Sequence, residues 1–403
     1  MVDCLYHKNI CLCCIDRERD GDLKTAVLGY GTVGGGVYDF LQTTEGLAPG
    51  GVLVRPGKVR ESFMTDSLDA LLADPQLEAV AEAIGGVEPA CTYAKKVLAS
   101  GRHFVTANKA LVACRGIELA ALAREKGAAF LFSAACGGGV PFLSNLRAAR
   151  KSDTILSVSG ILNGTTNYML DAMQRSNRDY AGALAEAQRL GYAESDPSAD
   201  VSGLDALRKI ALACALAFSR LPGEDGECEG IESLRSDDVR DFASRGLVCR
   251  LLASGGCVSE RVYAYVEPVL FPASSLEGAV LENGNLARYV GKNSGSIVLQ
   301  GQGAGRGPTA SAVLRDLTAI QSGAREMLPA DCVRVRADNA LPRHPYYVRL
   351  PLSSAAALPW RETAQKDGIV RGITENLSVA EMHAFAKSLR KDGGEVFFAA
   401  LGE

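Results

Sequence analysis

A glycine pattern near the start of the chain limits its possible folds more than any other feature. Thr25-Ala26-Val27-Leu28 is a short run of strand-forming character. It leads into Gly29-Tyr30-Gly31-Thr32-Val33-Gly34 and then into Val37-Tyr38-Asp39-Phe40-Leu41, which reads as helix. Strand, glycine turn and helix, in that order, is the setting in which G-x-G-x-x-G marks a dinucleotide site. Gly29 permits the tight turn, Gly31 lets backbone N–H groups approach a pyrophosphate, and Gly34 lets the helix pack on the strand. Thr32 and Val33, within the turn, are candidate cofactor contacts, and the phosphate is expected at the helix N-terminus, where free N–H groups and the dipole favour a negative charge.

The residue that follows the next strand bears on which dinucleotide is bound. The acid that holds the ribose hydroxyl of NAD normally lies about 20 residues beyond the glycines. Here the strand candidate Val52-Leu53-Val54 ends in Arg55, followed by Pro56-Gly57-Lys58. A basic residue at that point favours the 2′-phosphate of NADP, with NAD still possible. Strand-like residues 79–84, 103–106 and 129–132 then alternate with helical residues 91–100 and 116–126. That alternation predicts a doubly wound, mostly parallel α/β sheet of Rossmann type over residues 24–150. Ligands in such sheets collect at the carboxyl ends of strands. This points to Gly85, to Asn108 and Lys109, and to Gly137-Gly138-Gly139.

Length and charge fit a small-molecule site. A chain of 403 residues exceeds one ordinary core. A second, α+β domain for substrate binding and dimerisation is expected over residues 151–322. It includes a helix at 178–190 and a helix at 204–218 whose later turns are apolar all round and therefore buried. Residues 323–403 read as a short appendage. The formal net charge is −4 with no basic block, which argues against nucleic acid. No apolar run approaches the roughly 18 residues of a membrane span. Of twelve cysteines, eight are scattered singly among apolar residues, as reduced thiols of a cytoplasmic protein would be. Cys4, Cys11, Cys13 and Cys14 crowd the start without a zinc spacing, so residues 1–23 read as an unstructured extension.

The chemistry is expected around residues 190–209. Asp205 and Lys209 are four apart and share a helix face. By spacing alone they are an ordinary ion pair, with Ser202 and Asp205 a capping box. The helix continues into apolar residues, however, and Glu194, Asp196 and Asp200 precede it, enough charge for a substrate ammonium. A lysine beside a carboxylate can protonate an alkoxide as hydride reaches a carbonyl carbon.

Six segments together resemble the homoserine dehydrogenases: GYGTVGGGV at Gly29, IGGVEPA at Ile84, TANKALVA at Thr106, GILNGTTNYML at Gly160, LGYAESDPSADVSGLDALRK at Leu190 and GQGAGRGPTASAVLRDL at Gly301. The resemblance implies that Lys209 is the proton donor, that Asp205 binds homoserine, and that Glu194 grips its amino group. It places Lys109 by nicotinamide and substrate, Gly191 near the cofactor, and Gly303 to Gly305 over it. It implies NAD(P), a homodimer built on the second domain, and a place in threonine and methionine synthesis. It also implies a monovalent cation on the backbone carbonyls of Cys136, Gly138 and Val140. Ser133 stands where many members have glutamate, which puts that ion in doubt. Residues 43–65 are shorter than usual. Pro345 to Pro351 resemble the first strand of a threonine-sensing ACT-like domain, but Trp360-Arg361-Glu362 continue it poorly, so residues 323–403 are expected to be a degenerate version. Two rivals are another amino-acid dehydrogenase on the same nucleotide fold and a nucleotide-binding regulator with a decayed site. The intact Glu194, Asp205 and Lys209 count against both.

Overall fold

The computed structural model describes residues 21–402. The cysteine-rich start, with Cys4, Cys11, Cys13 and Cys14, lies outside the described residues. Leu23, expected to end the extension, instead opens the first strand. Six parallel strands follow: β1 (Leu23–Leu28), β2 (Leu47–Leu53), β3 (Met64–Thr65), β4 (Ala79–Glu82), β5 (His103–Thr106) and β6 (Phe130–Leu131). Their order, β3-β2-β1-β4-β5-β6, reverses direction between β1 and β4. That reversal opens a crevice above the carboxyl ends of these two strands, where ligands of such sheets bind.

The strand expected at residues 52–55 starts earlier and stops sooner. It runs through Pro49-Gly50-Gly51, a sequence that looks like a turn. A Cβ on Gly50 would stand 2.7 Å from Leu77 Cδ1, and one on Gly51 would stand 2.9 Å from Leu71 Cδ2. The glycines make room for core leucines. Arg55 consequently sits past the strand end, exposed, on a turn closed by Lys58 N–H donating to Arg55 O.

The second layer is built on β7 (Ile155–Ile161), β8 (Arg220–Pro222), β9 (Leu247–Val258), β10 (Arg261–Pro272), β11 (Gly284–Gly291) and β12 (Gly295–Gln302). Helix Leu204–Phe218 packs on β7, β9 and β10, and every residue from Ile210 to Leu216 is buried, as its all-round apolar character requires. Helix Arg306–Gln321 returns to the first domain and packs on helix Thr32–Leu41. Gly36 permits the approach: its Cβ would meet Arg306 Cγ at 2.9 Å and Ala310 Cβ at 3.2 Å. Arg306 also pairs with Asp39.

The C-terminal region is better ordered than its sequence suggests. After β13 (Val333–Val335), which pairs with β8, come β14 (Arg343–His344), β15 (Tyr346–Pro351), β16 (Trp360–Lys366), β17 (Ile369–Thr374), β18 (Leu377–Ser378) and β19 (Phe397–Leu401). Trp360, expected to break the pattern, opens β16, which pairs with β17 along its length. The period-2 signal is absent because β16 is an edge strand whose residues are nearly all exposed. Strand β19 pairs parallel with β10, so one nine-stranded sheet, β12-β11-β7-β9-β10-β19-β15-β17-β16, joins this region to the second domain. Polar contacts tie the joint, among them Arg349 to Asp238 at 2.9 Å, which is buried, and His383 to Glu267 at 3.2 Å. Among the described residues no helix is long and apolar enough to cross a membrane.

Candidate active site

The expected dinucleotide turn has the required backbone. Gly29 lies at φ +95°, where only glycine is unstrained, and its N–H donates to Leu53 O at 2.9 Å. A Cβ on Gly34 would fall 1.9 Å from Gly29 O, so no other residue fits. Gly31 is the N-cap of helix Thr32–Leu41, no side chain caps that terminus, and a Cβ there would meet nothing within 4 Å. The helix therefore presents unpaired N–H groups to an open cradle, and the residues present fit a pyrophosphate. Gly305, at φ +111°, caps helix Arg306–Gln321, and the Arg306 guanidinium reaches the first turn of helix Thr32–Leu41, 3.1 Å from a Cβ on Gly35.

The carboxyl ends of β4 and β5 are locked by a residue that sequence reasoning missed. Glu82 is buried. Its carboxylate accepts from Ile84 N at 2.6 Å, Gly85 N at 3.1 Å and Thr106 Oγ1 at 2.5 Å. Asn108 donates to Gly86 O at 2.5 Å and caps helix Lys109–Glu125 by accepting from Leu111 N. Lys109 thus becomes the first residue of a fixed helix, aimed across the domain boundary.

On the far side, Asp205 is not a helix cap. The N-cap is Gly203 at φ +86°, without a side-chain bond, so the capping-box reading is corrected. Asp205, 5% exposed, instead lies between two lysines: Lys209 Nζ at 2.7 Å on one oxygen and Lys109 Nζ at 3.0 Å on the other. Lys209 Nζ also donates to Leu162 O at 2.6 Å. Asn163 donates to Asp205 at 2.9 Å and to Asp200 at 2.7 Å. Burial alone would raise the Asp205 carboxyl, but Lys209 and Lys109 outweigh it and hold the carboxyl well below its usual range. Burial alone would lower the Lys209 ammonium, but the charge and hydrogen bond of Asp205 raise it. Asp200 is pushed up by burial and by the neighbouring Asp205, with Asn163 pulling it back. Asn163 was legible only as part of a motif. Its role depends on the N-terminal ends of helix Gly164–Arg175 and helix Leu204–Phe218 being brought together.

Glu194 and Gly191 stay on an exposed loop, with Gln188 donating to the backbone carbonyl of Glu194 at 3.2 Å. The loop holding Cys136, Gly138 and Val140 passes beneath the cluster. Burial pushes the Cys136 thiol up to about 12, and it feels the charges of Lys209, Asp205 and Lys109. Gly138 lies so close to Gly303 that a Cβ would fall 2.4 Å from its carbonyl oxygen, and Gly139 N donates to Gln302 O at 3.0 Å. Two loops far apart in sequence are thereby held together below the lysines.

Ser133, at the start of this loop, is buried, and its N–H donates to Asp316 at 2.7 Å. Burial lifts the Asp316 carboxyl to about 6, with the Ser133 hydrogen bonds pulling it back. That stands above the unfolded value of about 3.9. The group's contribution to stability is therefore fully present below about pH 4 and is lost as pH rises through about 6, in all about 3 kcal/mol. Asp316→Asn keeps an acceptor for Ser133 but cannot ionise. Denaturant midpoints of the two proteins should diverge between pH 4 and 6.5, with the variant gaining relative stability as pH rises. Parallel curves would show that Asp316 stays ionised in the fold.

The sequence model of the homoserine dehydrogenase NAD-binding domain matches residues 29–133, and that of homoserine dehydrogenase itself matches residues 141–318. A homoserine dehydrogenase of Synechocystis sp. is 40% identical over 320 residues, covering 74% of this chain and 73% of that one. The chain belongs to the homoserine dehydrogenase family. A homoserine dehydrogenase of Mycobacterium bovis is 35% identical over 389 residues, 90% of this chain and 86% of its own. The crystal structure of a homoserine dehydrogenase from Thiobacillus denitrificans superimposes with a TM-score of 0.84 at 29% identity, covering 95% of this chain and 98% of that one. Homoserine dehydrogenases are NAD(P)-dependent oxidoreductases, and the match at residues 29–133 coincides with the glycine turn described above. Coverage of 90% and 95% of this chain carries these last two matches beyond residue 322, into the C-terminal region.

Proposed function

We propose that this chain interconverts L-aspartate 4-semialdehyde and L-homoserine with NADP, using Lys209 as the proton donor. The observation that carries the reading is the Lys109–Asp205–Lys209 cluster, assembled from both domains at the mouth of the nucleotide crevice. A bound nicotinamide supplies the hydride in reduction and accepts it in oxidation. Lys209 gives its proton to the oxygen on the substrate's reacting carbon in reduction and takes it back in oxidation. Leu162 O and Asp205 each accept from its ammonium and fix where the proton points. Asp205 also orients the substrate hydroxyl, Lys109 stands beside the reacting carbon, and Glu194 holds the substrate ammonium from its loop. Pairing of two chains through the second domain belongs to the same reading.

Absorbance of the reduced nicotinamide during homoserine oxidation tests it directly. Turnover with NADP⁺ is expected, and absence of turnover with both NADP⁺ and NAD⁺ would overturn it. Arg55, exposed on the turn beyond β2, is proposed to meet the 2′-phosphate. A charge-assisted contact is worth about 1.5–3 kcal/mol. Arg55→Ala should weaken NADP⁺ roughly ten- to a hundredfold, by the same arithmetic, and leave NAD⁺ unchanged. Equal loss for both cofactors would remove Arg55 from phosphate recognition.

A further inference from the structure

A second cleft lies behind the Rossmann sheet, between the end of helix Phe142–Ala149 and the segment after helix Arg306–Gln321. Its volume is about 700 Å³. Arg147, Arg150, Lys151 and Arg325 line it, with Glu326 the one acidic side chain among the lining residues. This excess of three positive charges occurs on a chain of net charge −4. Arg147 and Arg150 are half-buried. Arg325 is steadied by donating to Ile320 O and Ala324 O, both at 2.9 Å, which leaves its other N–H groups for a ligand.

Helix ends do not account for the cluster. Both helices finish at the cleft, and a cation near each carboxyl terminus is favoured by about 0.3–1 kcal/mol. The carbonyls there are already served by backbone: Arg150 N donates to Leu146 O, Ser322 N to Thr318 O and Ala324 N to Ala319 O. One basic side chain per terminus would answer the dipoles, and four are present. Crowding four cations around a concave surface raises their mutual repulsion, and an anion inside relieves it. The far wall is also anchored. Phe130 N of β6 donates to Arg325 O at 3.1 Å, tying the far wall to the sheet.

We propose that this cleft binds a small phosphate-bearing polyanion, at a site separate from the nucleotide crevice. Three guanidinium groups suit phosphate because each offers paired N–H donors in a fixed plane. Lys151, exposed at the rim, adds a mobile point charge.

Calorimetric titration of the full chain with inorganic pyrophosphate tests the site, with the nucleotide crevice saturated by NADP⁺ and the ionic strength held constant. A saturable one-site isotherm is expected. The double variant Arg147→Ala/Arg150→Ala should weaken it at least tenfold, while NADP⁺ binding is retained. Lys151→Glu, a reversal at an exposed position, should weaken it several-fold and keeps the test decisive if the double variant does not fold. No saturable heat in the unaltered chain, or the same affinity in both variants, would overturn the proposal. Homoserine turnover is not part of the readout, so failure of this site and failure of the proposed reaction are told apart.

Discussion

Lys209→Ala should lose about 10²–10⁴-fold in turnover, the range that general acid catalysis contributes, while nicotinamide binding stays near that of the unaltered chain. The split follows from position. Lys209 lies on helix Leu204–Phe218 in the second domain, whereas the proposed pyrophosphate cradle is formed by Gly29, Gly31 and Gly34 in the first. Removing the side chain takes the donor from Leu162 O and leaves Asp205 with Lys109 and Asn163, but touches nothing in the glycine turn. Steady-state turnover and fluorescence titration with NADPH on one preparation give both quantities. More than half the original kcat would exclude Lys209 as the donor.

Asp205→Asn should cost stability and turnover together. Asp205 is the shared counter-charge of two lysines, and removing one member of a buried ion pair typically costs about 3–5 kcal/mol. Misplacing a reacting group by about 1 Å can cost about a hundredfold in rate, and a loss of that order is expected. The pH profile carries the sharper signature. Burial pulls the Lys209 ammonium down and Asp205 holds it up. With the carboxylate gone, burial prevails and the ammonium loses its proton at lower pH. The alkaline fall of kcat in the reducing direction should therefore move to lower pH. An unmoved alkaline limb would mean that another group sets it.

What the sequence disclosed, and what it hid, divides along physical lines. The glycine turn was legible because Gly29 and Gly34 are fixed by local sterics, within one strand and one helix. Helix Leu204–Phe218 was legible because its apolar residues run all round, which only burial tolerates. Glu82 was hidden because its cross-strand partner, Thr106, depends on the pairing of β4 with β5. Strand β2 was misplaced because Gly50-Gly51 mimics a turn, whereas the glycines serve Leu77 and Leu71. Strand β16 was unreadable because an exposed edge carries no alternation. Asp205 was assigned by resemblance as a substrate ligand. Its bridging of Lys109 and Lys209 needs the two domains folded together, since those lysines are a hundred positions apart.

If a primary ammonium at position 209 delivers the proton, as proposed, an added amine should restore turnover to Lys209→Ala. Reduction of L-aspartate 4-semialdehyde with NADPH by Lys209→Ala is measured against increasing methylammonium at fixed pH and ionic strength. A saturable recovery of kcat with methylammonium is expected, and none with tetramethylammonium, which is bulkier and has no proton to give. The same rate with both ions, under conditions where NADPH still binds, would contradict it.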